Sequence, residues 1–378
     1  MRIAVVHSFY SSKQPSGENQ SVLAEIAALS RAGHEVQLFA SRTDEAATNL
    51  LFPVRSAFRV ASGYGHSPLA AIEKYAPDIV HIHNLFPNFS RRWVSELTVP
   101  VVHTLRNYRP LCANGLLFRD GRTCTRCPDG DRYAGLRFGC YRDSKLATLP
   151  LAVANSGGPN ADPLLNRADV LLVLTELQRE QYERAGIPSD RLVVHPNFFE
   201  DALTSEPGEA SAGAFVTVGR LSPEKGIGRL AQVWPLGVDL DIVGDGPDRA
   251  MIESLGNPSI RVLGLLPHAE TLRVIRRSRA LVFPSLWFET FGRTALEAWG
   301  CATPVIATPG NTVAAMIAAH GGGTVATWDD LPALVSSLEV DEEARAEARA
   351  VFEANYTEAA FVSRAEAIYR RLIEQAGD

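Results

Sequence analysis

The chain has 378 residues, 46% of them hydrophobic and 21% charged, and carries a formal net charge of −6. That length points to two domains of roughly 180 residues, each able to bury its own core. The mildly acidic net charge makes no case for nucleic-acid binding, which needs a basic face, while local basic patches leave anionic membrane contact open; no stretch approaches the ~18 uninterrupted apolar residues of a spanning helix.

The opening run Met1–His7 is too short for the apolar core of a signal peptide. The protein is therefore expected in the cytoplasm, with peripheral contact to the inner membrane face left open. Ile3–His7 reads as a strand. Ser21–Ala32 has helical spacing, with Val22, Ile26 and Leu29 on one face, and it stops at Gly33. Val36–Ala40, Asp78–Ile82, Val99–Thr104, Val170–Leu174 and Leu192–Val194 follow as strands. Such continuous apolar runs suit a parallel sheet covered on both faces.

Residues Asp201–Gly213 are small, polar and Pro/Gly-bearing, the composition of a linker. The alternation then restarts with strands Phe215–Val218, Leu240–Val243, Arg261–Leu263, Ala280–Phe283 and Pro304–Ala307. Two helices, Glu342–Asn355 and Glu358–Ala376, close the chain. The simplest architecture is α/β, with two doubly wound domains facing a central cleft. The expected bounds are 1–198, 199–356 and a terminal helix over 357–378.

In open α/β sheets, ligands bind beyond the carboxyl ends of the strands. Four segments of the second half occupy such places. Gly219-Arg220-Leu221-Ser222-Pro223-Glu224-Lys225-Gly226 puts two cations on one loop, and a fork-shaped Arg with a point-charge Lys suits a diphosphate. Gly244-Asp245-Gly246-Pro247 is a turn opening a helix. Gly264-Leu265-Leu266-Pro267 offers backbone to a base. The run from Pro284 to Ala298 holds two carboxylates, Glu289 in a loop and Glu297 a turn into a helix starting near Gly292. That helix start offers N–H groups to an anion. Glu297 suits a ribose diol, and Glu289 suits sugar hydroxyls.

The Gly219–Gly226 loop, together with Glu289 and Glu297 in ETFGRTALEA, resembles glycosyltransferase family 4, retaining enzymes of the GT-B fold. The N-terminal PSGENQSVLAEIAALSRAGHEV resembles the opening loop and helix of that family, so the resemblance covers nearly the whole chain. It implies two Rossmann-like domains, a terminal helix crossing back to the first, and transfer of a sugar from a UDP- or GDP-linked donor to an acceptor hydroxyl on a glycan, lipid-linked or natural-product substrate. By motif match, Gly219, Arg220 and Lys225 bind the donor diphosphate, and Glu297 binds the ribose. Glu289, with the backbone of Thr290, Phe291 and Gly292, holds the transferred sugar. N–H groups of Arg293 and Thr294 reach the phosphate nearest the nucleoside, and Leu265 lies by the base. The resemblance implies no catalytic metal, and the Asp-x-Asp motif of metal-dependent transferases is taken to be absent.

The acceptor is expected on the first domain, near Gly17, Glu18 and Asn19, with a plain helix cap by Ser16 as the alternative reading. Val102–Tyr108 resembles a family strand end that often bears a functional histidine. The best-matching position here is Arg106, with His103 beside it. His81 and His83 flank Ile82 and are expected on opposite faces of their strand, in core or cap roles. Cys112, Cys124, Cys127 and Cys140 match a four-sulfur structural zinc site in ligand count, within a Cys-rich insertion at about 108–145 that has little apolar material of its own. Cys301 reads as a buried small residue. Two other functions stay open. One is a GT-B relative that epimerises or phosphorolyses a sugar, and the other is a non-catalytic nucleotide-binding module. A nicotinamide enzyme is disfavoured, since no Gly-x-Gly-x-x-Gly follows the first strand.

Overall fold

The computed structural model of the chain describes residues 1–10, 17–200 and 213–377. Ser16 and, except for Gly213, the expected linker over 201–213 lie outside these residues. The chain divides into two compact units: Met1–Leu117, Cys124–His195 and Val362–Asp378 make unit 1, and Phe118–Thr123 with Pro196–Phe361 makes unit 2.

The strands of the first half are β1 (Arg2–Phe9), β2 (Glu35–Arg42), β3 (Ile79–Asn84), β4 (Val101–Thr104), the short hairpin β5 (Phe118–Arg119) and β6 (Arg122–Thr123), β7 (Val170–Val173) and β8 (Leu192–Val194). The sheet of unit 1 runs β2-β1-β3-β4-β7-β8, parallel throughout. Its apolar strands are sealed by the helix Gly17–Arg31 on Val22 and Leu29. The second part of the C-terminal helix Glu358–Gly377 adds Ala365, Ile368, Tyr369 and Leu372 to the same core. Two surface helices, Phe52–Ser62 and Lys145–Asn155, lie side by side in this unit.

Unit 2 holds β9 (Phe215–Val218), β10 (Leu240–Val243), β11 (Ile260–Gly264), β12 (Leu281–Phe283), β13 (Val305–Ala307) and β14 (Gly323–Val325). They form a parallel sheet in the order β11-β10-β9-β12-β13-β14. The chain builds outward from β9 to β11, then returns to add β12 on the other side of β9. This is the doubly wound order, with its reversal between β9 and β12. Sequence periodicity missed β14, because Gly321-Gly322-Gly323 reads as a turn. A side chain at Gly323 would place its Cβ 2.0 Å from the Val305 carbonyl oxygen, so only glycine lets that strand pair with β13.

The Cys-rich stretch is better furnished than its composition suggests. Tyr108, Leu111, Ala113, Leu117 and Ala134 are all buried, so this insertion does have apolar material to pack.

Candidate active site

In unit 2 the loops that leave β9 and β12 meet at the point where the strand order reverses. Gly226 adopts φ +69°, and a Cβ there would fall 2.0 Å from the Pro284 carbonyl oxygen. The first loop can cross the second this closely only because position 226 is glycine. The crossing is secured where the Leu286 N–H donates to the Glu224 carbonyl at 2.9 Å.

The crossing brings Lys225 to Glu289: its Nζ donates directly to the Glu289 carboxylate. Ser285 Oγ donates to the other Glu289 oxygen at 3.1 Å, and Thr312 Oγ1 donates to the Glu289 backbone carbonyl. Lys225 Nζ also lies 5.7 Å from the centre of the Trp287 ring, within cation–π range. Arg220 points outward, with its side chain 63% exposed, and its guanidinium donates to Glu224 at 2.8 Å. Burial pushes the Glu224 carboxyl up, but hydrogen bonds from Ser222, the backbone and Arg220 outweigh it and hold the group below its ordinary value. Glu224 is thus the anionic anchor from which Arg220 extends.

Glu297 forms a second cluster on the helix Arg293–Gly300. It is buried and accepts from Arg293 Nε at 3.1 Å, with His268 Nε2 also 3.1 Å away. Burial of this helix face follows from its neighbours, since Ala295, Leu296, Ala298 and Trp299 are all buried. Phe291 is buried, whereas Leu265, after β11, is 77% exposed. Sequence reasoning missed Ser285, Thr312, His268 and Asn311. Asn311 caps the helix Thr312–His320 and donates to the Ser285 carbonyl at 3.2 Å. Polar residues before a helix were the available signal, but their meeting with the Glu289 loop depends on strand order. Cys301 is buried, as expected.

In unit 1 the named residues gather near the carboxyl ends of β1, β3 and β4. Gly17 is exposed at the start of its helix. Glu18 accepts from Asn107 at 3.3 Å, and burial raises its pKa. Asn19 accepts from His7 Nε2 at 3.0 Å, while burial lowers the His7 imidazole to about 4. His103 Nδ1 donates to the Ile82 carbonyl at 2.8 Å. Arg106 is buried, donating to Glu25 at 2.5 Å and to His83 Nδ1 at 3.2 Å. Burial pushes Glu25 up to about 7 against the pull of Arg106.

The expectation of opposite faces for His81 and His83 is wrong. Both face Glu25, with nitrogens 3.3 and 3.6 Å from its carboxylate, because residues two apart in a strand share a face. Glu25, His81 and His83 have the proximity of metal ligands. However, the Arg106 guanidinium occupies the carboxylate, and both His81 nitrogens are engaged, by Tyr369 and Thr104 at 2.7 Å each. A cation does not fit there. A pocket beside this network is lined by His83, His103, Arg106 and Asn107, together with Arg59, Arg91 and Arg109.

The four cysteines of the insertion are reduced. Burial, helped by the neighbouring thiols of Cys112, Cys140 and Cys124, pushes the Cys127 thiol up to about 11. The four are therefore neighbours, although no three sulfurs come within 4.8 Å of one another as the Glu25 group does. Two Asp-x-Asp sequences do occur, correcting the expectation of none: Asp129-Gly130-Asp131 and Asp239-Leu240-Asp241. Arginines take them up, Arg137 pairing with Asp131 and Arg261 with Asp241 at 2.8 Å.

Two family profiles match the chain: "Glycosyl transferase 4-like domain" over residues 16–197 and "Glycosyl transferases group 1" over residues 208–354. The D-inositol 3-phosphate glycosyltransferase of Mycobacterium sp. (strain KMS) is 32% identical over 206 residues, covering 47% of this chain and 44% of that protein. The match thus spans less than half the length of the curated relative. Among solved structures, Anabaena HepE in complex with UDP superposes with a TM-score of 0.61 at 17% identity, covering 97% of this chain and 99% of HepE. Sucrose-phosphate synthase from Thermosynechococcus elongatus gives 0.66 at 16% identity, covering 99% of each chain. These likenesses establish the two-domain α/β GT-B fold.

Proposed function

From a chain that belongs to the family 4 type of glycosyltransferases, we propose an enzyme that moves a sugar from a nucleoside diphosphate donor in unit 2 to an acceptor hydroxyl on unit 1. The observation that carries this reading is the meeting of Lys225 and Glu289 where the β9 and β12 loops cross, with Arg220 anchored beside them on Glu224. HepE has been solved with UDP and with UDP-glucose, which favours a uridine donor here.

In the proposed arrangement Arg220 and Lys225 take the diphosphate, flanked by the Gly219 backbone. Arg293 and Thr294 N–H groups, at the positive end of their helix, take the phosphate nearest the nucleoside. Glu297 accepts the ribose hydroxyls, replacing its contacts to Arg293 and His268, and Leu265 borders the base. Glu289 and the backbone of Thr290, Phe291 and Gly292 hold the sugar. Transfer breaks the bond from the anomeric carbon to the diphosphate oxygen, which keeps the electron pair. The acceptor oxygen bonds to that carbon from the same face, giving retention, and its proton passes to the departing phosphate. Charge grows on the diphosphate, so fixed cations aimed there lower the barrier.

Gly17, Glu18, Asn19, His103 and Arg106 border the acceptor in this reading, Arg106 chiefly through its ion pair with Glu25. The protein would work in the cytoplasm, touching the inner membrane face at its surface. Cys112, Cys124, Cys127 and Cys140 would hold a structural zinc ion, since four reduced neighbouring thiols supply the full donor set. Metal analysis of reductively purified protein should find one zinc per chain, and none would remove that assignment.

The central test is thermal stabilisation by nucleoside diphosphates, followed by turnover with the donor that stabilises most. Ligand at a hundredfold its Kd adds about 2.7 kcal/mol to the native state. UDP or GDP should raise the melting temperature of the wild type and not of Glu297→Ala. No shift with any nucleotide would overturn the donor site.

A further inference from the structure

The two surface helices of unit 1 expose apolar side chains at helical spacing. On and just before Phe52–Ser62 these are Leu51, Val54 and Phe58, the last two 69% and 63% exposed. On Lys145–Asn155 they are Leu146, Leu149 and Val153, with Leu146 81% exposed. Isolated exposed leucines need no explanation, but two adjoining helices with outward apolar stripes do. Phe52–Ser62 contributes no fully buried residue to the core, so its apolar content is not accounted for by folding.

Charge identifies what covers this face. Arg55 and Arg59 lie on the first helix and Lys145 on the second, and neither helix carries an Asp or Glu, in a chain of net charge −6. At the end of the first helix, half-exposed Tyr64 lies under the Arg92 guanidinium, 4.6 Å from the ring centre. Apolar stripes edged by Arg, Lys and Tyr are the make-up of a helix pair lying in a lipid interface, where charged heads meet anionic headgroups.

The inner sides of the same helices wall the pocket described above. Arg59 and Val60 line it from one helix, and Leu151, Ala154 and Asn155 from the other. Arg91, Arg106 and Arg109 add further cations. Asp162 is the one carboxylate among the described lining residues, and Arg91 already binds it. We propose that unit 1 docks on an anionic membrane through the outer faces of Phe52–Ser62 and Lys145–Asn155, and that the arginine-lined pocket between them receives the anionic part of a lipid-anchored acceptor. The second half of this statement rests on the assignment of the acceptor to unit 1.

The test is flotation of the full chain with phosphatidylglycerol-containing vesicles against phosphatidylcholine alone. Binding should be at least tenfold tighter to the anionic vesicles and should weaken as salt rises. Val54→Asp/Phe58→Asp and Leu146→Asp/Leu149→Asp should each lose tenfold or more, and Arg55→Glu should lose the preference for anionic lipid. All three should keep the wild-type melting temperature and UDP stabilisation. Absence of anionic-vesicle binding by the wild type would overturn the proposal, as would undiminished binding by both double variants. A wild-type dimer that the double variants convert to monomer would overturn it too, by making this face a subunit contact. UDP stabilisation reports on unit 2, so loss of the donor reading and loss of the membrane reading are seen separately.

Discussion

Replacing Lys225 by alanine removes the cation that donates directly to the Glu289 carboxylate. The ground-state cost is modest. The lysine side chain is 26% exposed and Glu289 11%, so water screens part of the pair, and its loss should cost about 1 kcal/mol of stability. In the proposed donor site the transition state should suffer more, because the diphosphate gains charge as the glycosidic bond breaks and Lys225 is the cation proposed to meet it. Loss of such a stabiliser costs about 3 kcal/mol, a fall in kcat of roughly 150-fold. Initial rates at saturating donor, with a parallel melting curve, separate the two effects. The double variant Lys225→Ala/Glu289→Gln should fall less than the product of the single losses, since touching residues are non-additive. If kcat of Lys225→Ala stays within threefold of wild type at saturating donor, the placement of the diphosphate on this loop is wrong.

Gly226→Ala forces a positive φ on a residue with a Cβ and drives that atom into the Pro284 carbonyl. The β9 and β12 loops must separate, and UDP-induced stabilisation should disappear even where the protein remains folded, as calorimetry would show. Tyr369→Phe deletes the hydroxyl bound to His81 at 2.7 Å in the core of unit 1 and should lower stability by about 1–2 kcal/mol in denaturant titration. His7 is held neutral by burial, with its pKa lowered to about 4. Its contribution is present above the unfolded value of about 6.5 and is lost as pH falls from there towards 4. His7→Gln should therefore flatten the acid side of the stability profile, and an unchanged slope in urea titrations at pH 7, 6 and 5 would contradict this. Glu25 acts in the opposite sense. Its raised pKa of about 7 makes its share of stability largest below pH 4.5 and lost as pH climbs through 7, so Glu25→Gln should remove that decline.

The alternation of strands and helices, the cation loop after β9 and the acid-bearing run after β12 were legible in one dimension. Each of these is written in neighbours a few positions apart, where period and turn chemistry act. Local pattern also explains what was misjudged. Gly321-Gly322-Gly323 has turn composition, yet β14 forms because the β13 backbone leaves no room for a side chain. Phe52–Ser62 offers no buried stripe to reveal it as a helix on the core.

The strand order was settled only in three dimensions. It sets β12 beside β9 and so brings Lys225 to a glutamate 64 positions away. The burial of Glu25 with Arg106, His81 and His83, and the return of Tyr369 to the core of unit 1, likewise join residues far apart in the chain. The physical reason is that periodicity states which face of an element is apolar, whereas its partner is chosen by which apolar faces and buried polar groups satisfy one another once the whole unit packs.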